Sequence, residues 1–280
     1  MHRLRVRWAE VDLQRIVFHP HYLMYIDTAF TEYWRELAVP YEAIPQTLGG
    51  DLYVKKATLE YHGSARLEDL LDIGLKCQRI GNSSLVFVGA IFRADELLVT
   101  TEMVYVFADP KTQRSRPVPA VLRALFTQYE AGAQTFEVRI GHWDELGEQA
   151  RALRAEVFIK ELGIPACLDH DPEDHQAIHA LVRNCMGHPI ATARLTRCAP
   201  GVARLSRVAV TRLMRSSGIG RAMVQSLLQV AAERGDSRVA LRCQCSVDRF
   251  YTRLGFLPNG ASFQEAGVPH IDMDHDLTQP

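Results

Sequence analysis

No stretch of this chain is apolar for long enough to cross a bilayer. The longest clean run is about "LVFVGAIF", against the ~20 residues a membrane helix needs. The opening "MHRLRVRWAEVD" places charges where a secretory leader would be apolar, so a soluble protein without a membrane partner is expected. An excess of either charge is also missing. With 32 basic and 33 acidic residues there is no general attraction for polyanions, and no nucleic-acid partner is expected. The 6 cysteines include no CxxC pair, which speaks against a disulfide framework and a zinc knuckle. They read as reduced thiols in a cytoplasm, with no metal required. Internal repeats and low-complexity segments are lacking as well.

What is present suffices for two cores, since 280 residues exceed the usual span of one compact domain. Tyr22, Ile26, Ala29, Tyr33 and Leu37 recur at helical spacing behind Pro20, which predicts a long amphipathic helix ending near Pro40. The period then changes to two. Ile73, Leu75 and Cys77, then Leu85, Phe87, Gly89 and Ile91, then Val99, Thr101, Met103, Tyr105 and Phe107 alternate, with turn signals at "GNSS" and "ADE". A helix followed by long antiparallel strands predicts an α+β unit whose curved sheet wraps the helix. The small, polar "TQYEAGAQT" reads as a short linker, giving domains over 1–130 and 136–280. The second half restarts with a strand at Phe136 to Ile140 and a helix from Glu145 to Leu162 capped by Asp144. The strands "AIHALVRN", "PIATARLT" and "ARLSRVAV" follow. A glycine-bearing loop then opens a helix, and "SRVALRCQC", a short helix and the strand "HIDMDHDL" complete an α/β pattern.

That loop, Arg215 to Ala222, reads "RSSGIGRA". Exposed backbone N–H groups and the positive end of a helix dipole make such a place a seat for phosphate. A kinase-type P-loop would need Lys where Arg221 stands, and a dinucleotide fingerprint would need glycine in place of Met223. The pattern Arg/Gln-x-x-Gly-x-Gly/Ala fits instead, and it resembles the pyrophosphate loop of the GNAT superfamily of acyl-CoA-dependent N-acyltransferases. "FYTRLGF" resembles the short GNAT helix whose tyrosine sits beside the coenzyme A sulfur, and "RAEVFIKELGIP...LDHDPEDHQAIHAL" and "EAGVPHIDM" resemble the ElaA-like branch. The resemblance covers Phe136 to Leu277 and implies coenzyme A, as acetyl-CoA, held by Arg215, Ser216, Ser217, Gly218, Ile219, Gly220 and Arg221. It further implies that backbone N–H groups within Val208, Ala209 and Val210 meet the thioester carbonyl, and that Tyr251 supplies a proton to the leaving thiolate. Glu161, Asp169, Asp171, His179 and His270 are open as general base. Glu161, Glu265 and His270 are the acceptor-site candidates.

The segment "RWAEVDLQRIVFHPHYLMYIDTAFTEYW" resembles the start of hot-dog-fold acyl-CoA thioesterases of the 4-hydroxybenzoyl-CoA and YbgC type. The resemblance runs over residues 3 to 125 and implies a long helix wrapped by an antiparallel sheet, a catalytic carboxylate at Asp12 and a supporting His19. A carboxylate before a helix can attack a thioester or direct water, while N–H groups of the helix end receive the oxyanion. Arg15 stands where the family has glycine and is a candidate contact for an acidic acyl group; His21 replaces the usual Asn. Active sites between subunits in that family imply a homo-oligomer, dimer or tetramer. The joint expectation is a bifunctional enzyme, hydrolysing an acyl-CoA and acetylating an amine. The alternative is an N-acetyltransferase whose first half is a non-catalytic acyl-CoA-binding or dimerisation module.

Overall fold

The apolar stripe beginning at Tyr22 forms the central helix of the first unit. The computed structural model describes residues 1–165, 172–265 and 267–278, and its contacts divide into two units, Met1–Thr135 and Phe136–Pro280. In the first unit a short strand β1 (His2–Arg5) precedes helix α1 (His21–Glu36) and the brief α2 (Ile44–Leu48). Strands β2 (Asp51–Tyr61), β3 (Leu70–Ile80), β4 (Ser84–Arg93) and β5 (Glu96–Ala108) follow, then helix α3 (Ala120–Glu130). The strands pair antiparallel in the order β1-β3-β4-β5-β2. Pro20 sits just outside α1 as its N-cap, and the face that includes Tyr25, Phe30 and Trp34 is buried. Phe30 lies flat on Tyr105 with ring centroids 4.5 Å apart and meets Phe87 edge-on at 5.2 Å, so aromatic packing fixes helix against sheet. This is the hot-dog arrangement of a sheet around one helix.

The segment read as a linker is in part something else. Its first four residues belong to α3, and Glu130 at the end of that helix reaches back into the sheet. The Glu130 carboxylate accepts the Cys77 N–H and the Tyr33 hydroxyl, both at 2.6 Å, where the register of β3 slips between Cys77 and Arg79. Without Glu130 the bulge N–H and a buried phenol lose their acceptor. Glu130→Ala is therefore expected to destabilise the first unit by about 1–3 kcal/mol. Urea denaturation of the full chain, followed by tyrosine and tryptophan signals, measures it, and an unchanged midpoint contradicts the anchoring role.

The second unit contains β6 (Phe136–Gly141), α4 (Trp143–Arg154), β7 (Ile178–Asn184), β8 (Pro189–Ala199), β9 (Val202–Val210) and α5 (Ile219–Glu233). It ends with β10 (Arg238–Gln244), α6 (Asp248–Thr252), β11 (Leu257–Pro258), β12 (Phe263–Glu265) and β13 (Val268–Asp276). The sheet runs β11-β13-β10-β9-β8-β7-β6, with β12 beside β13. The expected helix from Glu145 begins earlier, at Trp143, and turns π-helical from Ala155 to Glu161. His142, not Asp144, is its N-cap; Asp144 lies in the first turn, where its charge meets the positive helix end. Helix α5 buries Ile219, Met223, Val224, Leu227 and Ala231. On the α4 side, Arg154 and Arg194 converge on Asp174 at 2.9 and 3.0 Å, all three almost fully buried.

Candidate functional site

Strands β9 and β10 are the parallel neighbours in the second sheet, and they part company halfway. Their pairing runs from Val202 opposite Arg238 to Leu205 opposite Leu241 and stops, although each strand continues. A parallel pair that splays at its C-terminal ends opens a crevice there, the usual place for a ligand in such sheets. A cavity of about 800 Å³ occupies it, walled by residues 205–210 on one side and 241–244 on the other. The β9 wall is bulged. Thr192 of β8 faces Ala209 and Arg194 faces Ser206, so Ala193 is opposed by both Arg207 and Val208, with Arg207 at φ 54°. Such a bulge takes a residue out of the ladder, and Val208, Ala209 and Val210 beside it line the cavity.

The glycine-bearing loop of residues 215–221 contributes to the same cavity. Arg215, Ser216, Gly218, Gly220 and Arg221 line it. Ser216 and Gly218 both adopt left-handed backbone, at φ 67° and 85°, and this alternation makes a concave cradle of N–H groups at the start of α5. A Cβ at Gly220 would meet the Phe250 and Val210 side chains at 3.4 Å, an ordinary contact, so space alone does not demand glycine there. Two neighbours do not present side chains to the cavity. Ser217 turns its hydroxyl back onto the Met214 carbonyl at 2.6 Å, and Ile219 is core.

Glu161 departs from the expectation of an acceptor-site residue. Its carboxylate receives both terminal nitrogens of Arg215, at 2.6 and 2.7 Å, while Arg215 Nε donates to the Val210 carbonyl. That bidentate pair holds the Glu161 carboxyl below the usual carboxylate range. Glu161 is thus a strut for the first arginine of the loop. His179 departs too: it is fully buried, bonds the Asp174 carbonyl at 2.8 Å, and burial pushes its imidazole toward the neutral form. Asp169 and Asp171 lie outside the described residues.

Tyr251 and His270 both line the cavity, and Glu265 lies beside His270 without lining it. Tyr251 is only 7% exposed and packs edge-on against Phe250 and Phe256. Burial, with a smaller contribution from Cys243, pushes its phenol well above the ordinary value, so it stays protonated across the neutral range. Its hydroxyl makes no hydrogen bond among the described residues and remains available as a donor. Arg249 of α6, Arg253 at its C-cap, and the β10 wall with Cys243 complete the lining. Nothing in the local sequence marks these; only the splay of two strands brings them in.

In the first unit Asp12 sits in a tight loop closed by the Val11–Val17 bridge. Its backbone pairs with Ile16 and Arg15, each at 2.9 Å, and its Oδ1 accepts the Gln14 N–H at 2.8 Å. Arg15 holds φ 61°, the left-handed angle that suits glycine, so the loop keeps its path and carries a side chain on it. His19 is exposed and lies edge-on to Phe18 at 4.7 Å. His21 begins α1 with Nδ1 buried and unpartnered among the described residues. The N–H donors expected to receive an oxyanion at this helix end are occupied. Those of His21, Tyr22 and Leu23 donate to Phe18, His19 and Pro20 carbonyls in 3₁₀ fashion. Sequence reading missed Glu10, which is 4% exposed and accepts the Tyr25 hydroxyl at 2.8 Å and the Arg7 N–H at 2.7 Å. Burial works to raise its pKa, but these donors and the Arg7 guanidinium outweigh it and hold the carboxyl low.

Among the described residues no helix is long and apolar enough to cross a membrane. Residues 145–277 match the profile of the acetyltransferase (GNAT) domain, and residues 14–100 that of the thioesterase superfamily. Over 134 residues the chain is 31% identical to the uncharacterized N-acetyltransferase YjcF of Bacillus subtilis, spanning 48% of this chain and 94% of that protein. Over 126 residues it is 30% identical to the acyl-CoA thioester hydrolase YbgC of Escherichia coli, spanning 45% of this chain and 93% of that protein. The solved structure of Escherichia coli ElaA aligns with a TM-score of 0.47 at 26% identity, over 50% of this chain and 99% of that one.

Proposed function

Because the chain belongs to the thioesterase superfamily through its first half and to the GNAT acetyltransferases through its second, we propose a bifunctional enzyme of acyl-CoA chemistry. The second half transfers an acetyl group from acetyl-CoA to an amine. The observation that carries this reading is the cavity between the splayed strands, where a phosphate cradle, a bulged wall of N–H groups and an undissociated phenol meet. The pyrophosphate of coenzyme A takes the cradle at residues 216–221, its charge matched by Arg221 and the α5 dipole. The thioester carbonyl takes N–H groups of Val208 to Val210, which stabilise the oxyanion as it forms. Tyr251 then hydrogen-bonds the departing sulfur. With its pKa raised, it serves best as a donor that stabilises the thiolate until a proton follows.

The first half, in this reading, hydrolyses an acyl-CoA with Asp12 central, His19 beside it and Arg15 at the acyl end. It works as a homo-oligomer in the cytoplasm. One observation favours a second reading. The occupied N–H groups at the start of α1 and the side chain of Arg15 both leave less room for a thioester carbonyl. A half that only binds acyl-CoA, or only joins subunits, accommodates them.

The deciding experiment follows thiol release from short, long and aromatic acyl-CoAs with and without a panel of amines. Amine-dependent release from acetyl-CoA is expected in the wild type, with kcat lowered about a hundredfold in Tyr251→Phe and acetyl-CoA affinity kept. Failure of every amine to accelerate release from bound acetyl-CoA removes the transferase reading. Amine-independent release reports the first half, and its absence selects the binding or dimerising module.

A further inference from the structure

The acyl-transfer chemistry just described leaves the amine's protons without a named acceptor. Among the sequence candidates, His179 is sealed in the core, Glu161 is committed to Arg215, and His270 alone of the described ones lines the cavity. We propose that His270 is the general base for the acceptor amine, with Glu265 as the carboxylate that orients and stabilises its protonated form. The inference rests on the transferase reading and names the group that reading left open.

The argument begins with the tautomer. His270 Nδ1 lies 2.9 Å from the backbone carbonyl of Val268. A carbonyl oxygen can only accept, so Nδ1 carries the proton in the neutral ring and Nε2 presents its lone pair. Nε2 is the atom that lies 4.0 Å from Glu265 Oε2. With no proton on Nε2 the carboxylate has nothing to bond there, which accounts for the loose distance. Once Nε2 takes a proton, the pair becomes an imidazolium beside a carboxylate and can close to a charge-assisted hydrogen bond.

Glu265 is itself held. Its Oε1 accepts from Arg242 at 3.1 Å, and Arg242 is fixed in turn by Asp272 at 2.9 Å, leaving Oε2 for the histidine. Phe263 completes the clamp: its ring lies nearly parallel to the imidazole, at 26°, while Arg242 stacks on it 4.6 Å from the centroid. The ring is therefore oriented by its neighbours on β12 and β10, to which β13 pairs at Phe263 and Gln244. The charged groups about His270 are Glu265, Arg242 and Asp272, and Tyr251 and Cys243 line the same cavity. A base and a phenol lining one cavity match the two ends of the reaction.

The step balances without a co-reactant. The protonated amine gives one proton to Nε2, and the lone pair this frees forms the N–C bond to the thioester carbon. The tetrahedral oxyanion collapses, the C–S bond breaks and its electron pair leaves with sulfur. The second proton on nitrogen goes to that sulfur, with Tyr251 bonding the thiolate meanwhile, and the proton on Nε2 returns to solvent.

The test uses the full chain and the amine giving the fastest acetyl transfer. Wild type is expected to show a kcat/KM that falls on acidification through one ionisation. His270→Gln is expected to lower kcat/KM about a hundredfold or more, to remove that acidic limb and to leave acetyl-CoA affinity unchanged. Added imidazole should partly restore His270→Ala, and Glu265→Gln should lower kcat while keeping the limb. Long-range proton–nitrogen spectra should show the Nδ1-protonated tautomer for the signal lost in His270→Gln. A His270→Gln enzyme that keeps the limb and more than a third of its activity overturns the base, as does an Nε2-protonated tautomer. A wild type that binds acetyl-CoA and acetylates no amine overturns the transferase reading together with the base.

Discussion

Replacing Asp12 by Asn should lower amine-independent release of coenzyme A from the preferred acyl-CoA by about a hundred- to ten-thousandfold. Asn keeps the shape of the side chain and an oxygen for the Gln14 N–H, so the turn closed by Asp12, Arg15 and Ile16 should survive. What it loses is the charge, and with it the power to attack a thioester or pull a proton from water. The loss therefore measures chemistry and leaves the fold alone. Arg15→Gly belongs to the same experiment. Its φ of 61° costs a side-chain-bearing residue roughly 1–2 kcal/mol, and glycine relieves that strain. The variant should be more stable by about 1 kcal/mol and hydrolyse at least as fast as the wild type. Hydrolysis that persists in Asp12→Asn above a tenth of its starting rate would assign the activity elsewhere; loss of hydrolysis in Arg15→Gly would make Arg15 a contact for the acyl group.

Asp174→Ala should destabilise the second unit by about 3–5 kcal/mol. Arg154 and Arg194 both place a guanidinium nitrogen on this carboxylate, and their side chains are 0% and 4% exposed. Removing the carboxylate they share takes the counter-charge from the sealed Arg154, while Arg194 keeps Glu173 at 3.2 Å. The midpoint of thermal unfolding should fall by roughly 10 °C or more for a unit of this size. Acid should uncover the same pair in the wild type. Burial tends to raise the Asp174 pKa, but the bonds and charges of Arg154 and Arg194 prevail and hold it below the ordinary carboxylate value. A group so lowered contributes stability that is complete above the unfolded value, near pH ~3.9, and is lost as pH falls through the folded one. Asp174→Asn should lack that acid-sensitive component. Calorimetry from pH 7 downward checks both statements, and a wild type and Asp174→Asn that lose stability in parallel would show that the network is not the acid-labile element.

Local patterns carried the reading of sequence a long way. A stripe at Tyr22, Ile26, Ala29 and Tyr33 means one buried face wherever a helix forms, and alternation through Ile73 to Phe107 means pleated strands. These follow from backbone geometry, which repeats every 3.6 or 2 residues regardless of the rest of the chain. The loop at residues 215–221 was legible for a related reason: Gly218 sits at φ 85°, an angle that favours glycine, so conformation leaves its mark on residue type. Ser216 and Arg15 take similar angles without glycine and left no such mark.

Helix caps were harder, because neighbouring residues offer equivalent side chains; Asp144 looked like a cap and His142 occupies the place. Glu161 stood in the sequence as a free acid beside an acceptor, yet lies on Arg215, 54 positions away. Composition and periodicity thus determined two halves, an α+β unit with a helix against a sheet in the first and an α/β pattern with a glycine-bearing turn ahead of a helix in the second. Tertiary structure alone decided where β9 and β10 separate, that Arg207 bulges, that Asp174 joins two arginines, and that His270, alone among the described candidate bases, lines the cavity. Each of those depends on contacts between residues far apart in the chain, whose energies no local pattern of residues encodes.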